Sequence, residues 1–228
     1  MPSVIPDPGT VALGVEYPPR ADLRKDVQKS LPKVPPGIID KESMTSDRVA
    51  AEAQAVLDAI NLALDSKDAG SLAGLFYVEQ AFWRDIAALT SHWRTFSTPS
   101  VAAAAFVKMT AARQLDGMIK LAGSPQLVVV NPVLMFIQCI ISFQTRSPAL
   151  GCEGRMLLLP VKIDGEHSPV SWKIWFLTTW TEILLNYPED ESRLSAPSKQ
   201  LDGLETLETD VFIIGFHIPP IATLLQFL

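Results

Sequence analysis

Asp85 is the residue of this chain best suited to acid–base chemistry. It follows the aromatic pair Phe82 and Trp83, and an apolar setting penalises the charged carboxylate, raising its pKa toward a useful value. His92 would serve as its acid/base partner if both side chains face one cavity. Trp83 and Trp93 could line a pocket for a flat apolar ligand, and Arg94 could hold an anionic one. The same residues carry a structural reading. Asp85 then pairs with Arg84 or Arg94 or satisfies a turn, His92 packs or meets solvent, and the tryptophans, with Trp172, Trp175 and Trp180, fill a core.

Other chemistry finds no motif. No Gly-x-Ser-x-Gly, His-Glu-x-x-His or Walker glycine loop is present, and Gly151 to Gly154 reads as a turn. Cys139 and Cys152 have no second Cys or His at metal-ligand spacing, so no metal is expected. A disulfide is possible if their strands pair, but without a secretion signal buried free thiols are the expectation. His167 follows a turn and should be solvated. His217 has no assignable role.

The net charge of −6, from 19 Lys and Arg against 25 Asp and Glu, argues against a nucleic-acid partner. Hydrophobic content of 48% with 19% charged residues is that of a globular chain. No stretch approaches roughly 18 uninterrupted apolar residues, so no membrane partner is expected. The first residues lack the pattern of a signal peptide, which makes a cytoplasmic location the default.

The positioning elements follow from periodicity. Residues 1–44 are proline-rich and should form an extended arm, draped or mobile. Ser46-Asp47 should cap a helix whose Val49, Ala53, Val56, Leu57, Ile60 and Leu64 share a face, with Lys67 to Gly70 as its stop. Leu72 to Phe76 reads as a second short helix, Phe82 to Ile86 as a strand-like piece, and Pro99 opens an alanine-rich helix to about Ala112. Long strands are expected over Leu134–Thr145, Gly154–Ile163 and Ser171–Leu185, with Asp164-Gly165 as a turn. In the last strand Trp172, Ile174, Phe176, Thr178 and Trp180 should line one face, and Lys173, Trp175, Leu177, Thr179 and Thr181 the other. Helices followed by a long-stranded antiparallel meander predict an α+β domain over 45–187. Residues 188–208 read as a linker, and 209–228 as a stub of a further domain.

Four strings carry a family resemblance: Leu31 to Pro36; Phe82 to Asp85 with Leu89 to Phe96; Trp172 to Thr179 with Tyr187 to Glu189; and Asp210 to Gly215. In order and spacing the chain resembles the N-terminal region of fungal and bacterial flavin-dependent monooxygenases, where an NTF2-like (SnoaL-like) domain precedes the FAD-binding domain. The resemblance implies an NTF2-like cone, with FAD and NADPH serving oxygen insertion, often in secondary metabolism, in the full-length family. The chain departs from that pattern after Gly215, which matches the first glycine of the dinucleotide motif. Phe216 and His217 replace the next turn, and Pro219 and Pro220 would interrupt the helix that must face a pyrophosphate. Gly215 is thus expected to be vestigial, and no cofactor is expected to be bound by this chain.

Three functions follow as expectations. The chain is a truncated monooxygenase-like protein without redox activity; or a stand-alone cyclase, isomerase or dehydratase using Asp85 and His92 on a small apolar organic ligand; or a non-catalytic homodimer-forming module. Apolar residues on both faces of the 171–185 strand motivate the last.

Overall fold

The computed structural model describes residues 21–26, 28–162, 168–187 and 192. Its contacts divide the chain into Met1–Glu189 and Asp190–Leu228, and every element below belongs to the first unit. His167, the Asp164-Gly165 turn, Gly215, His217 and the stub lie outside the described residues, as does the linker apart from Ser192.

The described part of the arm is pinned. It is not extended throughout, because Lys25 N and Asp26 N donate to the Asp22 carbonyl and close a short helix, α1 (Leu23–Asp26). Ala21 N then donates to Thr95 O at 2.9 Å and Val34 N to Val133 O at 2.8 Å, with Val34 and Ile38 buried.

Helix α2 (Ser46–Asp65) begins one residue before the expected first turn, because Thr45 is its cap and accepts from Arg48 N at 3.4 Å. It buries Val49, Ala53, Val56, Leu57 and Ile60, the face that the spacing predicted. Helix α3 (Ala69–Leu75) starts inside the expected stop. Asp68 accepts from Gly70 N at 2.9 Å and Ser71 N at 3.0 Å, so the glycine sits in the first turn. Helix α4 (Pro99–Ala112) has the predicted bounds, with proline in its first turn.

The strands are β1 (Phe82–Ile86), β2 (Arg94–Ser97), β3 (Leu115–Leu121), β4 (Gln126–Asn131), β5 (Leu134–Arg146), β6 (Ala149–Lys162) and β7 (Val170–Leu184). They form one sheet in the order β2-β1-β7-β6-β5-β3, with β4 also paired to β5. The meander is mixed rather than purely antiparallel, since β1 runs parallel to β7. Strands β2, β3 and β4 were not foreseen; they are short, and their residues lack a strong alternating pattern.

Gly151 to Gly154 is not a turn but part of β6. A Cβ on Gly154 would stand 2.6 Å from the Thr178 carbonyl, and one on Gly151 2.6 Å from Ile183 Cγ2, so the glycines permit close strand packing. The expected faces of β7 also fail along its length. The β6–β7 register slips between Leu157 and Leu158, and the bulge flips the alternation. Trp172 and Ile174 face the core before it, and Leu177 and Thr179 after it.

α2 and α4 cover one side of this curved sheet, and a single cluster fills the space between, including Trp83, Phe96, Phe106, Ile141 and Met156. The Trp83 ring stacks on Phe96 at 4.8 Å and meets the edge of Phe106 at 5.0 Å. The architecture is α+β and NTF2-like. Helices packed on a curved sheet are what the resemblance implied for the fold.

Candidate functional site

Asp85 lies near the end of β1 and is 0% exposed. Its backbone faces Arg94 of β2 on one side and Thr179 of β7 on the other. Strand pairing therefore fixes it from both edges before any side chain contributes.

Its carboxylate collects donors. Leu89 N reaches Oδ1 at 3.1 Å and Oδ2 at 3.2 Å, and Thr90 N reaches Oδ2 at 2.8 Å. Thr90 Oγ1 stands 2.6 Å from Oδ2, and Thr179 Oγ1 2.5 Å from Oδ1. Thr179 Oγ1 in turn accepts from Trp83 Nε1 at 3.0 Å, making a relay from indole to hydroxyl to carboxylate. Asp85 thereby closes the loop between β1 and β2. Two further groups hold that loop: Arg113 Nε donates to Leu89 O at 2.9 Å, and Thr181 Oγ1 donates to Ala87 O at 2.8 Å.

Burial is the main influence on the Asp85 carboxyl and raises its pKa above the ordinary 3.8, while the hydrogen bonds from Thr179, Thr90 and Leu89 oppose the rise. The Thr90 hydroxyl supports the direction. It lies 2.6 Å from both Asp85 Oδ2 and the His92 carbonyl, yet has one proton to give. A proton on Asp85 Oδ2 lets both contacts be hydrogen bonds.

The other expected site residues separate. His92 enters this network through its backbone carbonyl, and its ring Nδ1 is 3.3 Å from Ser91 Oγ. Trp83 is in the core, whereas Trp93 is 67% exposed. Arg94 is half-buried, opposite Asp85 in the β1–β2 register. Thr90, Thr179, Thr181 and Arg113 were not foreseen as its companions. Their types and spacing carry no signal: the loop after β1 brings Thr90, β7 brings Thr179 and Thr181, and the end of α4 brings Arg113.

The two cysteines are free and buried. Cys139 pairs in register with Met156, and Cys152 with Phe143, so they are not opposite one another. Burial pushes each thiol up to about 12, which leaves neither as a nucleophile near neutral pH. Among the described residues no group of three or more His, Cys, Asp or Glu could hold a metal ion, and no helix is long and apolar enough to cross a membrane.

A cleft of about 760 Å³ lies elsewhere, between the ends of α2 and α4 and the start of β3, and Asp85 does not line it. Smaller cavities of about 400 and 340 Å³ lie along β3–β5–β6–β7 and beneath the arm.

No family model and no curated protein matches this chain. Among solved structures it is similar to an NTF2-like protein of unknown function from Silicibacter pomeroyi, at 14% identity and a TM-score of 0.42, over 61% of this chain and 100% of that one. It is similar to the hexachlorocyclohexane dehydrochlorinase LinA-type3 from Novosphingobium barchaimii, at 13% identity and a TM-score of 0.42, over 70% and 94%. An NTF2-like superfamily protein from Salmonella enterica gives 17% identity and a TM-score of 0.39, over 59% and 92%. Nothing in these comparisons links the chain to flavin-dependent monooxygenases.

Proposed function

We propose that the 45–187 domain is a non-catalytic NTF2-like module, in which Asp85 holds the fold together rather than acting on a substrate. One observation carries this: a fully buried carboxylate whose two oxygens already meet Leu89, Thr90 and Thr179. A general base must reach a substrate proton within hydrogen-bond distance, and here those directions are occupied by the protein. The core cluster of Trp83, Phe96 and Phe106 supports the same reading, because it fills the space a ligand would need beside Asp85.

The test is Asp85→Asn. In either orientation its amide NH₂ would face a backbone N–H, so the melting temperature should fall, at a cost of about 1–3 kcal/mol. A variant as stable as the parent would instead favour the acid/base enzyme, with Asp85 and His92 in the roles first expected of them.

A second reading keeps the module as the front part of a flavin-dependent monooxygenase, favoured by the string Asp210 to Gly215. A Gly-rich continuation in the genomic DNA beyond codon 215, in frame or frameshifted, would support it. Stoichiometric yellow flavin on the purified chain would contradict a broken cofactor motif.

A further inference from the structure

The cleft of about 760 Å³ has a size suited to a small organic molecule and a lining of mixed character. Val107 and Leu115 are packed against the core at its base. Leu62 and Met118, on its rim, are 71% and 58% exposed. Large apolar side chains left open beside a concavity gain from being covered.

The polar lining sorts into spent and available groups. The Asn61 amide is used twice on the Ile119 backbone, at 2.9 Å each. The Thr110 hydroxyl is used on the Phe106 carbonyl of its own helix at 2.9 Å. Asp58 accepts one bond, from Gln54 Nε2 at 2.7 Å, and Asp65 enters no ion pair among the described residues.

Charge decides what fits. α2 and α4 both reach the cleft by their C-terminal ends, where aligned peptide dipoles leave partial negative charge. Neither helix has a basic residue in its last turn. Arg113, which caps α4, turns its Nε to the Leu89 carbonyl and does not line the cleft. Lys67 is the one cation among the lining residues, against two carboxylates.

We infer that this cleft binds an amphipathic organic cation: an aliphatic amine whose hydrocarbon lies against Leu62, Val107, Leu115 and Met118 while its ammonium meets Asp58 and Asp65. The inference is independent of the role given to Asp85, whose substitution leaves every lining residue in place.

The test titrates n-octylamine, n-octanol and octanoate into the full chain by calorimetry at neutral pH and low salt. Octylamine should bind saturably, one per chain, about fivefold tighter than octanol, with octanoate weakest. Asp65→Asn should remove the amine's advantage, and Leu62→Lys should abolish binding, each with an unchanged melting temperature. The Met118 methyl resonance of the unmodified chain should shift on octylamine addition, which locates the site without any variant. Equal binding of octanol and octylamine, or tightest binding of octanoate through Lys67, would overturn the proposal. So would an unmoved Met118 resonance, or a dimer that Leu62→Lys dissolves, since a second copy would then be the occupant.

Discussion

Asp85 and Thr179 are partners across the parallel β1–β7 pair, and the Thr179 hydroxyl donates to Asp85 Oδ1 at 2.5 Å while accepting from the Trp83 indole. One threonine thus satisfies a buried acid and a buried donor together. Thr179→Val keeps the shape and removes both bonds, leaving two buried polar groups short of a partner. We expect a loss of about 2–4 kcal/mol by chemical denaturation. Thr178→Val, on the half-buried opposite face, should stay within about 0.5 kcal/mol. Equal effects at the two positions would show that the relay contributes nothing.

The same acid should give stability an inverted pH dependence. Burial raises its folded pKa above the ordinary 3.8, so the native state holds this proton more tightly than the unfolded chain. The contribution is complete below about 3.8 and is lost as pH rises through the folded value. Exposed Asp68 and Asp116 are lowered by hydrogen bonds from Ser71 and Arg146 and act in the opposite sense, their contribution fading as pH falls. Subtracting the pH–stability curve of Asp85→Asn from that of the parent isolates the inverted component. A difference that grows with pH would contradict it.

Two glycines should respond in opposite directions to alanine. Gly154→Ala places a methyl 2.6 Å from the Thr178 carbonyl, and backbone on the facing strand must move, so destabilisation of about 1–3 kcal/mol is expected. Gly74, in α3, has nothing within 4 Å of such a methyl. Gly74→Ala should stabilise the protein by about 0.4–1 kcal/mol through the unfolded chain. Thermal melts of the two variants decide it.

Thiol titration with a disulfide reagent should find neither cysteine reactive in the folded protein. Both are buried with thiols pushed up to about 12, so reaction needs opening of the sheet. The rate should rise sharply across the unfolding transition. Fast stoichiometric labelling of Cys152 under native conditions would show that β6 opens readily.

Self-association is checked by light scattering. Ile183, Leu184 and Leu185 at the end of β7 are exposed, which suits a homodimer contact through the sheet. A dimer is expected at low micromolar concentration, broken by Leu184→Lys. A monomer across that range would overturn the expectation of a homodimer.

What the sequence could determine was local. The face of α2, the bounds of α4 and the long strands β5 and β7 were legible because apolar periodicity over a dozen or more residues has few structural solutions. Asp85 stood out in the same way, as an acid embedded in aromatic residues. Tertiary structure decided the rest. The parallel β1–β7 pairing, the bulge that reverses the faces of β7, and the inclusion of Gly151 and Gly154 in β6 depend on which strands meet, and meeting is not written in either strand alone. That pairing also settled the surroundings of Asp85. Its donors come from a loop just after it and from Thr179, far along the chain, so the β1–β7 pairing was needed to complete the set, and the 760 Å³ cleft is lined by other residues.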